Sequence, residues 1–188
     1  MIVYEINRAE LDYVEKKLGN MKSKAPQVFK NAVNKTARQA RKKIAQSAKG
    51  AYTVKQGGFN NHMKIRAAST GNLTASIDAD GKPLTIIRFK NRTGRPQKGG
   101  AAAAADITNG GLKQLVSSKG GKAFKRSGLV MQRKGKERLP VKVFHSNSVP
   151  KMIEKVYEGE RGMAGALRKP IQSDLQKNIE AEVKKIVG

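Results

Sequence analysis

Histidines, cysteines, serines and paired carboxylates are the side chains best able to trade protons, attack or hold a metal, and this sequence brings few of them together. His62 and His145 stand apart, without the partner spacing of a metal motif, and each reads as a surface or packed imidazole in preference to a ligand. Asp78 and Asp80 make the local carboxylate pair in the middle of the chain. They could bind a divalent cation, but Asp80 precedes Gly81, and a turn-forming Asp is the commoner reason for such a residue. Ser117, Ser118, Ser127 and Ser148 have no local base beside them; a triad assembled from distant residues stays open. Between Gly128 and Gly135-Lys136 lie six residues. A phosphate-binding loop has four there, and Glu137 stands where that loop has Ser or Thr. Zero cysteines exclude disulfides, thiolate zinc sites and cysteine nucleophiles, and suit assembly in a reducing cytoplasm. The expectation is a protein without catalytic residues, metal or cofactor.

Charge is the stronger signal. The 188 residues carry 39 Lys and Arg against 14 Asp and Glu, a formal charge of +25. Self-repulsion of that size disfavours a free compact monomer unless a polyanion or acidic partner offsets it. The distribution is uneven: Lys16 to Ile77 holds 14 basic residues and no acid, and Gly81 to Lys136 holds another 14 with Asp106 as the single acid. The first 15 residues carry four acids and one Arg, and from Glu137 onward seven acids face ten bases. A solvated face usually mixes both signs, so the middle of the chain reads as a surface for nucleic acid or an acidic ring. With no Trp and 5% aromatics, base stacking is weak, and any nucleic-acid contact should go to phosphates, salt-sensitive and indifferent to sequence.

The elements that position these charges follow from periodicity. Asn7 to Leu18 predicts a short helix with a capping box through Glu10, ended by Gly19-Asn20. A longer helix opens near Pro26 and runs to Lys49, with Phe29, Ala32, Val33, Ala37, Ala40, Ile44 and Ala48 as the buried stripe and Gly50 as the stop. Its alanines bury little area, so it must lie tight against a sheet or partner. Leu73–Ile77 and Leu84–Phe89 read as a hairpin across Asp80 to Pro83. Residues 91–111, with the Ala101–Ala105 run, read as a long Gly/Ala-rich loop or an arm ordered on assembly. Gly128–Arg133 and Leu139–Phe144 read as paired strands around a basic turn. Val149–Tyr157 and Lys169–Val187 read as helices, the latter with Ile171, Leu175, Ile179, Val183 and Ile186 as its seam. The fold class is α+β in a single domain: a helical part at 7–49, a small antiparallel sheet at 72–144 and a helical part at 149–187. Neither a signal-peptide pattern at the start nor a stretch approaching a membrane span is present, so a soluble protein without a membrane partner is expected.

Ser127 to Phe144, with its Arg133-Lys-Gly-Lys-Glu-Arg-Leu-Pro-Val141 run, followed by Ser148-Val-Pro-Lys-Met152, resembles the signature stretch of the phage minor tail protein Z, or tail completion, family. Upstream, Asn31-Ala-Val-Asn-Lys-Thr-Ala-Arg38, Pro83-Leu84 and Arg88-Phe-Lys90 extend the likeness as short matches in order, from Asn31 to Met152. The chain departs in having Ser146-Asn147 where Gly-Pro is typical, and in its 94–111 segment. The resemblance implies a structural protein of the virion tail at its neck or head-proximal end. There a homo-oligomeric ring would meet the tail terminator and head–tail connector proteins and genomic DNA. The candidate contacts for DNA or acidic partners are Lys30, Lys35, Arg38, Arg41, Lys42, Arg92, Arg95, Lys98, Arg133, Lys134, Lys136 and Arg138. The alternatives are a stand-alone sequence-nonspecific nucleic-acid-binding protein, or a nuclease whose metal would sit on Asp78 and Asp80.

Overall fold

The computed structural model describes residues 2–55, 58–93, 101–116, 123–135, 137–159 and 167–187. In chain order the first elements are β1 (Ile2–Tyr4), α1 (Arg8–Leu18), α2 (Ala25–Ala51), β2 (Met63–Arg66), β3 (Ala75–Ala79) and β4 (Pro83–Thr85). Then come β5 (Lys90–Thr93), β6 (Ala101–Asp106), β7 (Lys113–Gln114), β8 (Phe124–Arg126), β9 (Leu129–Arg133) and β10 (Val141–Val143). The chain closes with β11 (His145–Ser148), α3 (Val149–Glu158) and α4 (Arg168–Val187). The α+β class is as expected.

The helices form where capping and periodicity put them. The Asn7 side chain accepts from Glu10 N at 2.8 Å while Glu10 accepts from Asn7 N at 2.9 Å, satisfying two otherwise orphaned donors at the start of α1. Gly19 ends it at φ 52°, a conformation glycine adopts without penalty. All seven residues of the expected α2 stripe are fully buried, joined by Ala25, Val28, Thr36 and Ala45. The alanines let α4 come close: Ile171, Leu175, Ile179 and Val183 are buried on this seam, each stabilising by roughly 1.5–3 kcal/mol. Polar pegs fix the register of the two helices. Asn178 Nδ2 donates to Thr36 Oγ1 at 2.9 Å and to Gln39 Oε1 at 2.8 Å, and Lys43 bonds Asp174. Gly50 is not the stop that the sequence suggests. The helix continues to Ala51, and the Gly50 carbonyl accepts from Asn109 Nδ2 at 3.3 Å, so a loop on the sheet side braces the last turn.

Strand pairing departs further from expectation. β3 is the centre of a three-stranded antiparallel sheet in the order β1-β3-β2, with Ile77 opposite both Ile2 and Ile65. Its side chains reach α2 and the main core. The hairpin of 73–77 with 84–89 does not form: β4 pairs with β11 instead, and Ile86–Arg88 is a 3-10 turn. The intervening turn explains the divergence, because Gly81, at φ 148°, lies against His62 and Pro150 and directs the chain to the start of α3. Nor is the 91–111 segment a loop throughout. β6 spans the alanine run and pairs with β5, β7 and β8. Ala103 and Ala105 point into a second small core with Ile86, Leu115, Ala123 and Val130. This sheet has the order β10-β9-β8-β6-β5, and the expected pairing of β9 with β10 holds, with Val141 opposite Arg133.

Candidate functional site

Because α2 must turn its apolar stripe inward, the residues off that stripe are forced to its outer face. Arg38 and Lys42 are exposed there; Lys30 and Lys35 are half-buried where α4 approaches. With Lys185 of α4, Lys30, Lys35 and Arg38 line a recess of 480 Å³ around one carboxylate, Glu182. Lys185 Nζ bonds Glu182 Oε1 at 2.5 Å and Asn31 Nδ2 bonds Oε2 at 3.3 Å. The Lys185 bond chiefly holds the Glu182 carboxyl below its ordinary value; burial opposes this and the Asn31 bond adds to it. Four cations around one carboxylate leave an excess of positive charge, the arrangement that attracts phosphate or a neighbour's acids.

The remaining candidate cations separate by location. Arg41 turns inward: its guanidinium donates to the Asn60 carbonyl at 2.9 Å and secures the 59–62 turn. Arg92 is exposed on β5. Arg133, Lys134 and Arg138 gather at the β9–β10 tip, where Arg133 lies over the Phe124 ring at 5.6 Å and donates to the Glu137 carbonyl at 3.3 Å. Lys134 and Arg138 are exposed, and so is Leu139, at 67%. Arg95, Lys98 and Lys136 lie outside the described residues. Two clusters therefore emerge, one on α2 and one at the sheet tip, with Arg92 apart from both.

The two carboxylates and two histidines considered for catalysis find structural partners, whereas Ser117 and Ser118 lie outside the described residues. Arg66 pairs with Asp78 as a diagonal cross-strand pair between β2 and β3, and Lys64 reaches Asp80, one residue past β3, at 3.5 Å. His62 Nδ1 lies 3.0 Å from the Asp80 carbonyl oxygen, and His145 Nδ1 lies 3.0 Å from that of Val143. Among the described residues no three His, Asp or Glu side chains cluster as a metal site would need, and no helix is long and apolar enough to cross a membrane.

One feature of the surface escapes the sequence reading. A groove of 870 Å³ runs between β1, α1 and α4, with Glu5, Glu10, Glu158 and Glu180 on its walls and Arg168 as the one cation among the described residues that line it. Tyr4, Tyr13 and Tyr157 supply its aromatic surface. Burial pushes the Tyr4 phenol well above its ordinary value, with the nearby Tyr157 phenol adding to the shift; burial also raises Tyr157. Glu5 and Glu10 come from the acid-rich first 15 residues, a partial signal, but Glu158 and Glu180 join them only through the fold.

No curated protein and no solved structure matches the chain. The family model of prophage minor tail protein Z (GPZ) matches residues 11–188, nearly the whole sequence, and spans both cationic clusters. The chain belongs to that family, structural proteins of the phage tail.

Proposed function

We propose that this tail protein is a completion component, acting at the head-proximal end of the tail where tail and head join. It would form a ring of copies between the tail terminator and the head–tail connector proteins. The observation that carries the reading is the pairing of family membership with an α2 face that carries the exposed Arg38 and Lys42 and the half-buried Lys30 and Lys35, in a stretch of sequence free of acids from Lys16 to Ile77. A ring that sets such faces toward its lumen offsets the repulsion of a +25 chain with the phosphates of the passing genome or with acidic neighbours. The contact would be to backbone phosphate. Among the described residues Tyr13 is the exposed large aromatic, and it stands in the acidic groove, so the cationic faces offer no stacking platform.

Cryo-electron microscopy of intact virions, with the chain located by a fused tag, tests the position. Density at the neck or upper tail is expected. Density confined to the distal tip, or recovery only in complexes free of virion proteins, would overturn it.

A further inference from the structure

The acidic groove and the basic sheet tip are complementary, and we infer that they are the two halves of one head-to-tail interface: the β9–β10 tip of one copy seats in the groove of the next. The inference rests on the ring reading for its biological setting but on the geometry of this chain for its content.

Four observations converge on an occupant for the groove. First, acid is scarce in this molecule, yet four of its 14 carboxylates wall one groove, and none of Glu5, Glu158 and Glu180 forms an ion pair with a described residue. Second, Tyr4 lines the groove at 5% exposure with its hydroxyl buried and without a hydrogen-bond partner among the described residues. A buried unsatisfied hydroxyl is costly and calls for a group that arrives from outside. Third, among the described residues β1 is a terminal strand of its sheet with its outer edge unpaired, and residues 2–5 all line the groove, an edge that an incoming chain could meet. Fourth, Val3 and Tyr13 are exposed in the groove at 37% and 43%, apolar surface that a partner would cover.

The tip supplies the matching chemistry. Lys134 and Arg138 are exposed beside Leu139, so cations flank an apolar anchor, and β10 next to them is the terminal strand of its own sheet. An Arg or Lys among the groove carboxylates and Leu139 against Val3 and Tyr13 would pair charge with charge and apolar surface with apolar surface. Because groove and tip are different surfaces, the contact is heterologous, the kind that builds a ring when the rotation from copy to copy closes.

Sedimentation velocity on the purified full-length chain reads this out at about 150 mM salt and up to about 100 µM protein. The groove variant Glu5→Lys with Glu180→Lys and the tip variant Lys134→Gln, Arg138→Gln, Leu139→Ser each change exposed or partly exposed positions, so circular dichroism should show the fold retained. Wild type is expected to form species larger than a dimer, and each variant alone to associate roughly 100-fold more weakly. Their equimolar mixture should stop at a 1:1 heterodimer, because each variant keeps one intact half. Tyr4→Phe should weaken association while leaving monomer stability undiminished. Wild type that stays monomeric, variants that assemble as wild type does, a mixture without heterodimer, or a Tyr4→Phe monomer that is markedly destabilised would each overturn the inference. A groove-variant defect rescued only by another virion protein would do so as well, by making that protein the occupant. Self-assembly of a chain absent from the neck would instead refute the completion reading and leave this interface standing.

Discussion

Replacing Lys35, Arg38 and Lys42 by glutamine removes three cations from the outer face of α2 without touching its buried stripe or any residue bonded to Glu182. Glutamine is nearly as good a helix former as lysine or arginine, so α2 should persist. If these three side chains each neutralise a phosphate, the slope of log affinity against log salt becomes shallower by about 0.9 per contact, about 2.7 in all. Over a fourfold rise in salt, from about 50 to 200 mM, those contacts alone account for roughly a 40-fold loss of affinity that the variant no longer suffers. Fluorescence anisotropy with two duplexes of unrelated sequence measures both slopes. Wild type and variant should bind the two duplexes alike, since no base is read. A slope that changes by less than about 0.5 would refute the assignment of phosphate contact to this face, and a strong preference between the duplexes would refute the phosphate-only mechanism.

Other consequences concern the scaffold. Asn178→Ala loses two hydrogen bonds across the α2–α4 seam and should cost about 2 kcal/mol in urea unfolding; a change below about 0.5 kcal/mol would mean that the seam is not held there. Gly81→Ala places a Cβ 3.2 Å from His62 Nδ1 and 3.4 Å from Pro150 Cδ at φ 148°, and should lower stability by more than about 1 kcal/mol, visible as a reduced melting temperature. Glu182 has a folded value below its unfolded one, so its contribution is present above the ordinary carboxylate range and disappears as pH falls through the folded value. Glu182→Gln should therefore lower stability at neutral pH and converge with wild type in acid; a gap that persists there would place the effect in packing.

Which features were legible in the sequence depended on whether their cause was local. The α1 cap needs only Asn7 and Glu10 three residues apart, and the α2 and α4 stripes are written as a 3.6-residue period. The β9–β10 pair is joined through a short connection, so its partner is its neighbour. The strand expected at 73–77 forms at 75–79, but alternation identifies a strand without naming its partners, and those come from residues 2–4 and 63–66. The 2–4 segment is too short to register as a period. The alanine run failed for a different reason. Five identical residues carry no alternation, so the inward turn of Ala103 and Ala105 exists only once Ile86, Leu115 and Val130 are packed beneath them. Among the candidate cations the sequence could group α2 residues by helical face, and Arg38 and Lys42 lie exposed as that grouping requires. It could not tell that Arg41 would spend its guanidinium on the Asn60 carbonyl, a contact 19 residues away.

A chain of charge +25 faces a contradiction if it is to stand in a ring with its own copies, because each added neighbour raises the repulsion that a partner must offset. That repulsion acts over about a Debye length, roughly 8 Å at physiological salt, whereas a contact between the groove carboxylates and a basic tip acts at hydrogen-bond range. The two therefore combine into a directional rule. Copies that approach with cationic faces opposed repel, and the approach that meets attraction brings a tip toward a groove. Gathering four of the 14 acids on the walls of one groove between β1, α1 and α4 would in this way give the head-to-tail contact its specificity, while the excess positive charge of α2 stays available for phosphate. On this reading the uneven charge that first marks the sequence separates two tasks by surface: Glu5, Glu10, Glu158 and Glu180 join copy to copy, and the acid-free stretch from Lys16 to Ile77 meets the polyanion.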